Sequence, residues 1–143
     1  MSRGSVTIDS EVVGHVGRGF VVLLGVREGD TIENAQQLAS KTATLRVFCD
    51  DARKMNLSLI DIDGQALVIS QFTLYADTRK GNRPSFIRAA EPVLAEQLYN
   101  EFVKRLGDCL GPDKVATGRF GAMMEVEIVN DGPVTVELTT DAK

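Results

Sequence analysis

Apolar and polar residues alternate from the start of the chain. Val6 and Ile8 are apolar while Thr7 and Asp9 are polar, the period of a strand with one buried face. Asp9-Ser10-Glu11 reads as a turn and Val12 to Val16 as the returning strand. Gly17-Arg18-Gly19 breaks it. Phe20-Val21-Val22-Leu23-Leu24 is a continuous apolar run, too short for a helix, and predicts a buried strand. After a loop from Gly25 to Asp30 the period becomes helical. Ile32, Ala35, Leu38, Ala39, Thr42 and Leu45 fall on one face, and Asp30 with Glu33 three residues on predicts the N-cap and a capping box. Val47 to Leu59 is mixed, with a turn at Asp50-Asp51, and Asp61 to Gly64 is another turn. Gln65 to Tyr75 predicts an apolar strand, followed by a polar, basic loop over Asp77 to Asn82.

Pro92 suits the first turn of a second helix. Leu94, Leu98, Phe102 and Leu106 mark its core side and Gly107 its end. Gly111-Pro112 is a loop. Ala122, Met124, Val126 and Ile128 then alternate with Met123, Glu125 and Glu127. Val134, Val136 and Leu138 alternate with Thr135, Glu137 and Thr139, so both segments predict strands with one buried face. No repeat, low-complexity tract or linker divides the chain. Hairpins dominate the order, which predicts an α+β fold: an antiparallel curled sheet or β-barrel-like core with two main helices.

Bulk properties narrow the function. A chain of 143 residues, 43% apolar and 25% charged, is one domain with material for one core. No apolar run approaches the roughly 18 residues of a membrane span. The N-terminus enters a strand pattern without a signal-peptide apolar region, so a cytoplasmic location is expected. Cys49 and Cys109 are far apart and in no metal spacing, which predicts two reduced thiols. A formal net charge of −4 argues against non-specific binding to long nucleic acid, DNA included. It leaves room for a small basic patch that grips one RNA end.

Little conventional catalytic equipment is present. His15 is the only histidine, so a Ser-His-Asp triad would have to use it. One histidine and two scattered cysteines make a zinc site improbable, and no cofactor is implied. Ser70 and Thr73, at a strand end, point to opposite faces unless the chain bends at Gln71-Phe72. Their hydroxyls either satisfy strand-end backbone groups, or the bend bares N–H groups able to stabilise an oxyanion. Gly132-Pro133 alone reads as an ordinary turn between two strands. From Thr78 to Arg88 the chain carries Arg79, Lys80, Arg83 and Arg88, either a solvated loop or a phosphate contact. Phe72 and Phe120 are core residues or stack on a base.

Five segments in order carry a family likeness: Lys54-Met55-Asn56-Leu57, Val68-Ile69-Ser70-Gln71-Phe72-Thr73-Leu74, Gly81-Asn82-Arg83-Pro84-Ser85-Phe86, Thr117-Gly118-Arg119-Phe120 and Val129-Asn130-Asp131-Gly132-Pro133-Val134-Thr135. Over nearly the whole chain they resemble the bacterial-type D-aminoacyl-tRNA deacylases. The resemblance implies a homodimer with its site at the subunit interface. It also implies hydrolysis of the ester that joins a D-amino acid, or mischarged glycine, to the terminal adenosine of tRNA. Gly132-Pro133, in cis, would enter the other subunit's pocket and reject L side chains with its backbone. Ser70, Gln71, Phe72 and Thr73 would line that pocket, with N–H groups around Phe72 and Thr73 as oxyanion donors and the tRNA's own 2′-OH assisting water. Phe72 and Phe120 would frame the adenine, and Arg79, Lys80 and Arg83 would contact tRNA. Family members usually begin with a further half-strand ending in Gln-Arg-Val, whose arginine is thought to steady the Gly-Pro turn. By that comparison this chain starts about eight residues late, which puts its edge strand and pocket rigidity in question. Three alternatives remain open: a relative with a trans Gly-Pro acting on L-alanyl-tRNA, a non-catalytic module binding RNA ends or proteins, and a hydrolase using Thr73 or Ser70 with His15.

Overall fold

The computed structural model of the chain describes residues 1–140. The N-terminal alternation forms the hairpin it predicts. Strand β1 (Arg3–Ile8) pairs antiparallel with β2 (Glu11–Val16). Asp9 and Ser10 both take positive φ, 50° and 68°, as a tight two-residue hairpin turn requires. The apolar run forms β3 (Gly19–Leu24), but as an edge strand with a neighbour on one side only. Leu23 is therefore 43% exposed rather than buried. At Gly19, with φ of 152°, a Cβ would fall 1.8 Å from the Gln65 carbonyl oxygen, so glycine is required there.

Helix α1 (Ile32–Thr44) starts one residue later than the capping pattern predicts. Thr31 is the N-cap: its hydroxyl accepts the Asn34 N–H, and the Asn34 side chain accepts the Thr31 N–H. Asp30 instead accepts the Arg27 N–H at 2.7 Å, holding the loop before the helix. A small antiparallel hairpin, β4 (Phe48–Cys49) and β5 (Met55–Leu57), follows. Strand β6 (Gln65–Ser70) stops five residues short of the predicted Tyr75.

Helix α2 (Pro92–Leu110) begins on Pro92 as expected and buries Leu98, Tyr99, Phe102 and Leu106. It runs through Gly107, which is buried within the helix, and stops at Gly111, whose φ of 107° suits glycine. Strand β7 (Val115–Thr117) and β8 (Glu125–Val129) complete the regular structure. Residues 134–138 form no strand, against their alternating pattern, because no strand among the described residues pairs with them; Val136 is 53% exposed.

The α+β class holds, but the sheets are not all antiparallel. β2, β1 and β8 make an antiparallel sheet, whereas β3, β6 and β7 run parallel. Each parallel pair is joined by a crossover that contains one of the helices, as parallel neighbours require. β6 is buried on both faces. Ala66 and Val68 face the core built with Ala39, Ala43, Tyr99, Phe102 and Leu106. Leu67 and Ile69 meet Val6 and Val16 of the other sheet. The two sheets thus enclose one apolar layer, and the helices cover the outer face of the parallel one. Phe102 is fully buried in this core. Phe102→Ala is expected to cost about 3–5 kcal/mol in urea unfolding; an unshifted midpoint would place Phe102 outside the cooperative core.

Candidate active site

The end of β6 is where the chain changes conformation. The Gln71 N–H donates to the Leu24 carbonyl at 2.8 Å, one pairing beyond the last strand residue. Gln71 then takes φ −140° and ψ 82°, and Phe72–Tyr75 form a single 3₁₀ turn. Leu74 and Ala76 N–H groups bond back to the Gln71 and Thr73 carbonyls at 3.2 and 3.1 Å. The first N–H groups of a helical turn have no acceptor inside it. For Phe72 and Thr73 no backbone acceptor lies outside it among the described residues. The required bend at Gln71-Phe72 is therefore present, and it bares two adjacent donors. The turn packs directly on backbone: a Cβ at Gly25 would lie 3.1 Å from both Leu74 Cβ and Tyr75 Cε2.

The side chains around the bend are polar but contain no base. Gln71 Nε2 donates to Thr73 Oγ1 at 2.5 Å, so the threonine oxygen serves as an acceptor. Phe72 is 56% exposed and meets Phe86 edge-on, with ring centroids 5.0 Å apart. His15 lies exposed on β2, paired in register with Ser5, and bonds to neither Ser70 nor Thr73. Cys49 and Cys109 are free thiols. Among the described residues no group of three or more histidine, cysteine, aspartate or glutamate side chains could hold a metal, and no helix is long and apolar enough to cross a membrane.

The basic loop grows from the wall of this pocket. Asp77 and Ser85 exchange backbone hydrogen bonds of 2.7 and 2.9 Å, which closes the loop one residue before Phe86. Asp77 binds Arg79 as a fork: Arg79 Nε donates to Oδ1 at 2.9 Å and Nη2 to Oδ2 at 2.7 Å. Its Oδ1 also accepts the Arg79 backbone N–H at 3.1 Å. These bonds from Arg79 hold the Asp77 carboxyl down at about 2. Lys80 and Arg83 are exposed and, among the described residues, in no ion pair. Phe120 is half-buried and tilts against Tyr99 at 6.0 Å rather than against Phe72.

Gly132 and Pro133 are exposed and joined by a cis peptide bond. Asn130 Nδ2 steadies the turn by donating to the Val134 carbonyl at 3.3 Å and to Thr135 Oγ1 at 3.2 Å. A groove of about 1090 Å³ runs between β3, α1 and the segment from Val134 to Thr140. Gly132, Leu74 and Tyr75 line it, but Pro133 and Ser70 to Thr73 do not. One chain therefore does not bring the two motifs into one pocket. Phe86 and Asp77 are the site residues that sequence reasoning missed. Asp77 had a signal, a lone acid two residues before Arg79 in a basic loop; ring contact between Phe72 and Phe86 had none.

The family model for D-Tyr-tRNA(Tyr) deacylase matches residues 1–139. The chain belongs to that family. A D-aminoacyl-tRNA deacylase from Dehalococcoides mccartyi is 56% identical, over 96% of this chain and 89% of the relative. One from Exiguobacterium is 52% identical, over 99% and 95%. Among solved structures, one titled c-Myc DNA Unwinding Element Binding Protein superposes with a TM-score of 0.93 at 41% identity, covering 99% of this chain and 95% of that one. A probable eukaryotic D-amino acid tRNA deacylase shares the fold, with a TM-score of 0.74 at 17% identity. Membership in the deacylase family makes the chain an ester hydrolase.

The Asp77–Arg79 fork has a pH signature. A depressed carboxyl pKa stabilises above the unfolded value of about 3.9 and loses that contribution as pH falls through the folded value near 2. An NMR titration of Asp77 should show a midpoint about 2 in the native chain, and Arg79→Ala should return it toward 3.9. A native midpoint already near 3.9 would mean that the fork does not form in solution.

Proposed function

We propose that the chain hydrolyses the ester of D-aminoacyl-tRNA and releases free tRNA and the D-amino acid. The observation that carries this is the pair of unpaired Phe72 and Thr73 N–H groups at the bent end of β6. They stand beside exposed aromatic rings suited to a terminal base. Two converging backbone donors are what the oxyanion of an acyl-transfer intermediate needs. Removing such a donor typically costs about 10²–10³ in rate.

The site works as a homodimer. Gly132-Pro133 of one subunit enters the pocket formed by Ser70, Gln71, Phe72 and Thr73 of the other, since a single chain leaves the two motifs apart. Backbone carbonyls of that turn hold the substrate's α-amino group and collide with an L side chain. Rejection by fixed backbone is a repulsive form of specificity, and it admits glycine, so glycyl-tRNA mischarged on tRNA-Ala is also cleaved. The terminal 2′-OH of the tRNA assists the attacking water, which fits a pocket without a histidine or carboxylate at Thr73. Phe72 and Phe120 frame the adenine; Arg79, Lys80 and Arg83 meet the tRNA backbone. The enzyme works in the cytoplasm without metal or cofactor. A DNA element is named only for one structural relative. A net charge of −4 on this chain argues against that type of partner here.

Deacylation of D-tyrosyl-, L-tyrosyl-, L-alanyl- and glycyl-tRNA tests the reading. D-tyrosyl and glycyl esters should be cleaved and the L-esters spared; equal turnover of either L-ester would overturn the chiral assignment. Thr73→Ala should retain substantial activity and His15→Ala full activity. A loss of several orders of magnitude in either variant would instead identify a side-chain nucleophile or base.

A further inference from the structure

We propose that Asp77 is a positioning residue that fixes Arg79 as a phosphate-binding arm at the mouth of the site. This rests on the proposed deacylase reading, and the ligand is a phosphodiester of the single strand leading to the tRNA 3′ end. The argument begins with the geometry of the fork. Asp77 occupies Nε and Nη2 of Arg79 on one edge of the guanidinium. Nη1, on the other edge, is left to solvent, and the Arg79 side chain is 82% exposed while Asp77 is only 17% exposed. The carboxylate is thus the inner, fixed partner and the guanidinium the outer, presented one. Arginine offers five donors in a planar fork, so a carboxylate on one edge still leaves donors for a phosphate on another.

The attachment of the loop adds a second, independent observation. Both backbone hydrogen bonds between Asp77 and Ser85 tie the loop base to the segment that carries Phe86. The Phe86 ring touches Phe72, and Phe72 opens the turn with the two free N–H groups. A base seated on Phe72 would lead its strand past the loop that Arg79 crowns. Arg88 also places its charge near Asp77. The carboxylate therefore lessens repulsion among the loop cations as well as aiming one of them.

Asp77→Asn keeps an oxygen to accept the Arg79 backbone N–H but loses the charged fork. The substitution makes the chain less acidic, so simple electrostatics would improve tRNA binding. Positioning through Arg79 demands the opposite. Steady-state deacylation of D-tyrosyl-tRNA should show KM raised about tenfold with kcat unchanged, the scale of one charge-assisted contact. Arg79→Ala should do the same, and it should lower the salt dependence of binding to uncharged tRNA by about 0.7, one single-strand phosphate contact. In the Arg79→Ala background, Asp77→Asn should change KM no further. A lower or unchanged KM for Asp77→Asn overturns the proposal, as does a full multiplication of the two single effects, which a merely misfolded loop would give. Failure of the deacylase reading itself looks different: the native chain would then cleave no aminoacyl-tRNA, while the salt dependence of binding to uncharged tRNA would still report on Arg79.

Discussion

Burial of β6 on both faces is the constraint on which the rest of the molecule depends. A strand covered on both sides reads as a continuous apolar run, and Ala66, Leu67, Val68 and Ile69 are all buried. One set of side chains locks into the helical core and the other into the antiparallel sheet. Tyr99 adds a 2.8 Å hydrogen bond from its hydroxyl to the Val68 carbonyl, tying α2 to the strand two residues before Ser70. A strand so held has one register, because a slip by one residue would exchange its two faces. Its end is consequently a fixed point, and the catalytic turn is built on that point.

The chemistry then follows from where pairing stops. β3 accompanies β6 as far as Leu24, whose carbonyl takes the Gln71 N–H. Beyond it Gly25 gives the turn room to fold back, and a side chain there would press on Leu74 and Tyr75. The 3₁₀ turn must leave its leading N–H groups without internal acceptors. Elsewhere such groups would be capped; α1 caps its own start with Thr31 and Asn34. No side chain caps the 3₁₀ turn. Uncapped donors on a rigid support are pre-oriented for negative charge that develops at a reacting oxygen, which is the basis of the proposed catalysis.

The legible parts of this fold are those whose signal is local. The first hairpin, the positions of both helices and the bend at Gln71-Phe72 all follow from residues within a few positions of one another. The errors arise where a distant partner decides. Gln65 to Tyr75 looked like one strand because its apolar residues continue past Ser70, while the stopping point is set by the neighbouring β3. Gly107 looked like a helix end, yet it is buried within α2 and the stop falls on Gly111. The parallel pairing of β3 with β6 and β7 could have been read from strand–helix–strand order, but hairpins at both ends of the chain concealed it. Residues 134–138 carry a strand's alternation without a strand partner in the chain. In the site, Ser70 to Thr73 and the Gly132-Pro133 turn were legible as motifs. The contact of Phe72 with Phe86 was not, since fourteen positions separate them and only the Asp77–Ser85 closure brings them together.

An acidic chain that takes a polyanion must place its few cations with care. At physiological salt the screening length is about 8 Å, so carboxylates beyond that distance scarcely oppose a phosphate at the basic loop. Asp77 is the exception, because it lies within hydrogen-bond distance of Arg79 and cancels most of its long-range attraction. On electrostatic grounds alone an acid there is a disadvantage. Order explains its place: a free arginine side chain carries about 2 kcal/mol of rotamer entropy, and the fork removes much of that before any substrate arrives. Lys80 and Arg83 keep their full charge for attraction, while Arg79 exchanges charge for direction. Substrate capture and substrate alignment are thereby assigned to different residues of one short loop, and the net charge of the chain becomes compatible with its substrate.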